Sequence, residues 1–217
     1  MFSGRTLVDE TDALQVRLII AIMKQPRKKE RKIIVYIATS ADGYIARPDG
    51  SVDWLNYPPT VGDYGMGAFY RSIDTILWGR KTIDVALGFQ KEGVKGSAFD
   101  TKIKNYAFSR KRRRNPPPGV EFVNEPLATF AKDLRATPGK DIWIMGGAGL
   151  IASFLDAGEI DEFIIHVIPI FIGEGIPLVQ PQHRNVPLLL KSVKPFKDGV
   201  IRVRYEVKRS GSGKGRH

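Results

Sequence analysis

The chain has 217 residues, 42% of them apolar, which is enough for one domain with a sizeable core. Its net charge is +11, with no cysteine and three histidines, so disulfides, thiolate metal sites and cysteine nucleophiles are excluded. No H-x-E or H-E-x-x-H spacing occurs, and no metal site is expected.

The basicity is localised. Residues 1–32 carry eight Lys/Arg against four Asp/Glu and end in KQPRKKERK. They read as a basic, flexible N-terminal extension spanning 1–31. A second run is Arg110-Lys111-Arg112-Arg113-Arg114, and the third is the tail 208–217 with its SGSGKGR stretch. The runs 24–32, 110–114 and 208–216 contain no aromatic residue, so stacking on single-stranded nucleic acid is not expected, and a solvated surface is the plainer reading. Ala13–Met23 is too short to span a membrane and is interrupted by Arg17. Asp9, Glu10 and Asp12 ahead of it do not suit a signal or transit peptide, which leaves a cytoplasmic protein as the expectation.

The domain proper is expected over 32–207. Lys32–Ala38 (KIIVYIA) is an apolar, β-branched run and reads as a buried strand. Thr39–Asp53, rich in Gly, Pro and Asp, reads as a long functional loop. A helix is expected over 63–73, a strand over 75–78 and a helix start over 81–86. Strands follow at 104–108 and 120–123, around the basic, triple-proline loop 109–119. Leu127–Ala136 is an amphipathic helix that stops before Pro138-Gly139. A strand at 141–145, a helix at 149–157 and a strand at 162–168 come next. An antiparallel pair, 188–194 and 200–207, closes the chain around KDG. This alternation predicts an α/β three-layer sandwich with a mostly parallel sheet closed by a C-terminal hairpin.

Three strand ends carry chemistry. Gly146-Gly147-Ala148-Gly149 brings bare backbone N–H groups to a helix start, a site for phosphate or simply a tight turn. Gly147–Ala152 fits G-x-G-x-x-A, but it follows a late strand and no acid lies about 20 residues on, so a Rossmann site is excluded. Gly79-Arg80-Lys81-Thr82 and Phe108-Ser109-Arg110 add hydroxyls and cations at two more strand ends. In a parallel sheet these ends share one edge, which favours a dinucleotide, and Arg80 and Arg110 suit the 2′-phosphate of NADP.

The stretches SADGYIARPDGSVDWL (40–55), SIDTILWGRKT (72–82), AFSRK (107–111), IMGGAGL (144–150) and IPIFIGEGIPLV (168–179) together resemble the dihydrofolate-reductase-like superfamily. Within it they are most similar to the reductase domain of bacterial riboflavin biosynthesis proteins. The resemblance implies NADPH as hydride donor and a homodimer. By motif it places Gly79, Arg80, Thr82, Ser109 and Arg110 around the adenosine-side phosphates. Gly146, Gly147, Ala148 and Gly149 would line the pyrophosphate, and Ala38 and Ile45 would flank the nicotinamide. The implied activity is that of 5-amino-6-(5-phosphoribosylamino)uracil reductase, with a dihydrofolate or pteridine reductase as the alternative. A nucleic-acid-binding protein and a non-catalytic nucleotide binder are the readings from other classes.

Where riboflavin-pathway reductases carry D-D-P-x-L, this chain reads Ile83-Asp84-Val85-Ala86-Leu87, which opens the question of substrate. Asp63 is the candidate catalytic acid, against a role at the helix start. Asp53 and Trp54 are candidate substrate contacts, with core packing the alternative for Trp54. His166, mid-strand among Ile and Val, reads as a structural histidine.

Overall fold

The computed structural model describes residues 30–57, 62–91, 99–100, 102–109 and 116–208, without the side chains of 89–91. The basic run at 110–114 and nearly all of the two tails lie outside these residues. All described elements belong to the compact unit Arg31–His217. The strands are β1 (Ile33–Ser40), β2 (Tyr44–Ala46), β3 (Ile73–Gly79), β4 (Lys104–Phe108), β5 (Val120–Val123), β6 (Asp141–Gly146), β7 (Glu162–Ile168), β8 (Ile176–Pro177), β9 (Leu188–Pro195) and β10 (Ile201–Val207). The helices are α1 (Met66–Ser72), α2 (Arg80–Lys91), α3 (Leu127–Ala136) and α4 (Ala148–Asp156), with a 3-10 turn over Asp53–Asn56.

Eight strands form one sheet in the order β5-β4-β3-β6-β1-β7-β10-β9. Every pairing from β5 to β7 is parallel, and β10 and β9 add antiparallel strands at one side. Buried on both faces, the central strands read as near-continuous apolar runs. Side chains alternate across the sheet. Ile33 and Val35 face one core with Phe130, Ala131 and Leu134 of α3 and Ile151 and Phe154 of α4. Ile34 and Tyr36 face the other, with Phe69 of α1 and Ile83 of α2. These are the three layers of the expected sandwich.

The edge of the sheet where β1, β3 and β6 begin is pinned by Arg31, 3% exposed. Its guanidinium donates to the carbonyls of Leu134 (3.1 Å) and Lys140 (2.6 Å), to the Thr75 and Thr137 hydroxyls and to Asp74. Arg31 is thus already built into the domain.

One feature of local pattern was not expected. Tyr44–Ala46, inside the segment expected to be a loop, and Ile176–Pro177, for which no strand is expected, form a small antiparallel pair. Their partners are about 130 residues apart, so no local periodicity announces them. Glycine makes the approach possible: a Cβ on Gly175 would lie 2.3 Å from the Ala46 carbonyl oxygen.

Candidate active site at the carboxyl edge of the sheet

The ends of β3, β4 and β6 meet in register. Trp78 pairs with Gly146, and Gly79 pairs with Phe108, the residue before Ser109. Glycine at position 79 keeps this approach close, because a Cβ there would lie 3.1 Å from both Gly146 O and Gly147 N, tight enough that the backbone would have to give by a few tenths of an ångström. The Thr82 hydroxyl lies 3.4 Å from the position a Cβ would take on Gly147 and 3.5 Å from that on Gly79. Gly79, Thr82, Gly146 and Gly147 therefore converge on one cradle of bare backbone with a hydroxyl above it. The Gly146–Gly147 peptide bond is cis.

From Gly147 the chain enters α4 directly, with Leu150 N and Ile151 N bonded back to Gly147 O at 3.0 and 3.1 Å. Ala148 is buried while Gly149 is exposed, with nothing within 4 Å of a Cβ placed there. The first-turn N–H groups of a helix lack intrahelical acceptors and carry the positive end of its dipole. A backbone bare of side chains, a hydroxyl and a helix start fit the pyrophosphate of a dinucleotide.

Arg80 opens α2 at the surface. Its Nε lies 3.9 Å from Asp84, and both side chains are about half exposed (57% and 42%). Such a pair contributes little and leaves the guanidinium able to turn to a phosphate. Ser109 is half-buried directly after β4. Arg110 lies outside the described residues.

Ala38 and Ile45 sit either side of the turn after β1, both half-buried. Asp42 anchors that turn. It accepts the Ser40 hydroxyl at 2.5 Å and the N–H groups of Gly173 at 2.8 Å and Ile172 at 3.2 Å. The Ser40 bond, helped by those two N–H groups, holds its carboxyl below the usual range. Ala41 N to Ile170 O (2.8 Å) and Leu178 N to Gly43 O (3.1 Å) complete the attachment. The FIGEGIPL segment is thus the back wall of the Ala38–Ile45 turn.

The three acid and substrate candidates behave differently. Asp63 is exposed and accepts the N–H of Gly65 at 2.9 Å and of Gly67 at 3.0 Å, tying down the start of α1. Those bonds, Gly65 first, lower its pKa, so at neutral pH it has no proton to give. Asp53 is exposed and paired with Arg47 through two bonds of 2.6 and 3.1 Å. Trp54 is 2% exposed and packs with Ile168, Val200, Ala38 and Tyr64. Its indole N–H is the one buried side-chain polar atom without a partner among the described residues.

Two residues of this region were not singled out from sequence. Asp42 looked like a turn residue of the DG type, and Tyr36 looked like one more core position in KIIVYIA. The available signal was alternation, because Tyr36 stands two residues before Ala38 and so on the same face. His166 is buried, with Nε2 at 3.4 Å from both the Tyr36 hydroxyl and the Tyr64 carbonyl.

A mostly parallel sheet whose strand ends converge on bare backbone at a helix start defines an α/β domain with its candidate site at the carboxyl edge of the sheet. The chain belongs to the RibD C-terminal domain family, whose model matches residues 31–202. It is 39% identical over 172 residues to the uncharacterized protein YwjB of Bacillus subtilis, covering 79% of this chain and 95% of that one. A putative riboflavin biosynthesis protein of Shewanella sp. PV-4 superposes with TM-score 0.71 at 30% identity, covering 82% of this chain and 99% of that one. Dihydrofolate reductase from Enterococcus faecalis, solved with NADP(H), shares the fold at TM-score 0.52 and 12% identity, over 82% of this chain and 97% of that one. The architecture is therefore dihydrofolate-reductase-like. Among the described residues, no helix is long and apolar enough to cross a membrane.

Proposed function

We propose that the protein is a cytoplasmic, NADPH-dependent reductase of a small heterocyclic substrate, of the 5-amino-6-(5-phosphoribosylamino)uracil reductase type. The observation that carries the reading is the convergence of Gly79, Thr82 and Gly147 at adjoining strand ends, where a Cβ at position 79 would press on the Gly146–Gly147 backbone at 3.1 Å. Gly146, Gly147, Ala148 and Gly149 at the start of α4 are assigned to the pyrophosphate. Thr82, Ser109, Arg80 and Arg110 are assigned to the adenosine side, and Ala38 and Ile45 to the nicotinamide. When bound, the cofactor would supply a hydride; the chain orients the partners and keeps the pocket dry. Asp42 holds the Ala38–Ile45 wall in place. Asp63 is assigned to the start of α1, and Trp54, buried with Ile168 and Val200, to the packing behind Ala38 rather than to the substrate.

The exposed apolar residues of β9 and β10, Leu188, Leu190, Val193 and Ile201, support a homodimer. Light scattering tests it: a monomer at micromolar concentration would remove it.

The cofactor assignment is tested by titrating NADPH and NADH against the wild type and Arg80→Ala. A charge-assisted bond to the 2′-phosphate contributes about 1.5–3 kcal/mol, so the substitution weakens NADPH about 10- to 150-fold and leaves NADH nearly unchanged. Equal losses for both cofactors would place the 2′-phosphate elsewhere, and no binding of either would remove the reductase reading. Turnover is followed as NADPH oxidation with 5-amino-6-(5-phosphoribosylamino)uracil, and with dihydrofolate as the competing substrate.

A further inference from the structure

Reduction of a C=O or C=N bond takes a proton as well as a hydride, and Asp63 carries none at neutral pH. The opposite requirement, a protonated group on the correct face beside Ala38, is met elsewhere. In the parallel register of β1 and β7, Ala38 stands directly across from His166. Tyr36 lies two residues before Ala38 on the same face, and its hydroxyl reaches His166 Nε2 at 3.4 Å. The phenol therefore leans along β1 toward the level of Ala38, at the edge where the strands end. Its ring is fixed by stacking on Phe69 (centroids 4.2 Å apart) and by an edge contact with Trp143 (6.2 Å).

We propose that Tyr36 is the proton donor of the reductase, and that His166 is the positioning residue that orients the phenol and returns its proton. The proposal rests on the nicotinamide lying against Ala38.

The surrounding charges fit this division. Burial pushes the Tyr36 hydroxyl up to about 12, with Arg202 acting against burial and Asp63 with it. Burial likewise pushes His166 below the usual histidine value, against its backbone bonds to Tyr64 and Ile37 and with help from Arg202. At neutral pH Tyr36 thus holds its proton and His166 is neutral. Arg202, in register with His166 on β10, donates to the Tyr64 carbonyl at 3.2 Å, and its charge favours a developing phenolate at Tyr36. Lys194 of β9, in register with Arg202, lies over the Phe196 ring, and Asp198 accepts the Tyr64 hydroxyl. Asp63, before α1, is the carboxylate whose charge opposes ionisation of Tyr36.

A bound reduced nicotinamide would supply hydride to the substrate carbon, and the π pair of the C=O or C=N bond would move to oxygen or nitrogen. That atom takes the proton from Tyr36 Oη, and the phenolate regains one from water through His166. An alkoxide is a stronger base than a phenolate, so a phenol of raised pKa still protonates it downhill. Both contacts of His166 Nε2 are long at 3.4 Å, so the hydroxyl is not locked to it.

The test has two arms. In the first, protein labelled with [ζ-13C]tyrosine is titrated with NADPH and with 2′-phospho-ADP-ribose, which lacks the nicotinamide; Tyr36→Phe assigns the signal. NADPH is expected to shift the Tyr36 resonance and the fragment is not. Binding of NADPH, seen by fluorescence, without that shift overturns the placement. Absence of NADPH binding is a different result, because it removes the reductase reading and this proposal with it.

In the second arm, single-turnover hydride transfer to 5-amino-6-(5-phosphoribosylamino)uracil is measured. Tyr36→Phe keeps the stacked ring, so NADPH affinity should stay within about twofold while transfer slows about 100-fold or more. His166→Gln should remove the acid limb of the rate profile, which lies below the usual histidine range. A Tyr36→Phe enzyme as fast as the wild type, or a His166→Gln profile that keeps the limb, refutes the assignment.

Discussion

Gly175→Ala tests whether the FIGEGIPL segment positions the wall of the active site. A Cβ at this position lies 2.3 Å from Ala46 O, 3.1 Å from Tyr44 Cβ and 3.2 Å from Tyr44 Cγ. An ordinary carbon–oxygen contact is about 3.3–3.6 Å, so roughly 1 Å of displacement is required. The clashing atom is backbone, and Ala46 pairs with Ile176, the residue after the substitution. Four further bonds, from Ala41, Leu178, Ile172 and Gly173, resist a rigid shift of the segment. Overpacking of this kind costs about 1–3 kcal/mol, which in a domain of this size lowers the melting temperature by about 2–12 °C. Because Ile45 lies between Tyr44 and Ala46, NADPH affinity should fall several-fold as well. Thermal melts with NADPH titration of the same sample decide it. A variant that melts within about a degree of the wild type would refute a tight contact; one that loses stability but keeps its NADPH affinity would refute the link to the nicotinamide wall.

Gly88→Ala is the control, since nothing lies within 4 Å of a Cβ at that position of α2. It should stabilise by about 0.5–1 kcal/mol in denaturant unfolding. Arg31→Ala strips the buried hub at the far edge of the sheet and should cost about 3–5 kcal/mol, with NADPH affinity retained in the folded fraction. Glu162 is 3% exposed on its side chain; burial works to raise its pKa, but Lys32 and Arg204 outweigh it and the net shift is downward. Its contribution is therefore present above the unfolded glutamate value and lost as pH falls through the lower folded one. Glu162→Gln should flatten the acid side of the stability profile, and an unchanged slope would show that the pair does not set it. Asp63→Asn, which keeps an acceptor for the start of α1, should leave the pH profile of turnover unchanged; a lost limb would return the acid role to Asp63.

The order of strands and helices could be read along the chain because each is set by contacts close in sequence. The apolar run of β1, the 3.6-residue spacing of α3 and the glycines before α4 are local signals, and their predicted and observed bounds agree within one or two residues. The cradle was legible for the same reason: Gly79 and Gly146–Gly149 each mark a strand turning into a helix. What could not be read was which of these ends touch. That Gly79 faces Gly146 and Gly147, and that Thr82 stands over both, depends on β6 being inserted between β3 and β1.

Polar residues show the division most clearly. Asp63, Asp42 and Asp53 are indistinguishable as carboxylates in a loop-rich stretch, yet one ties down a helix start, one holds a wall and one pairs with a surface arginine. Tyr36 and His166 are 130 positions apart, and each alone looks like a core residue of an apolar strand. Composition and periodicity determine which segments become strands and which faces turn inward, because burial and backbone geometry act residue by residue. Strand order and register decide which side chains share a face, because hydrogen bonds between distant strands carry no trace in the local pattern.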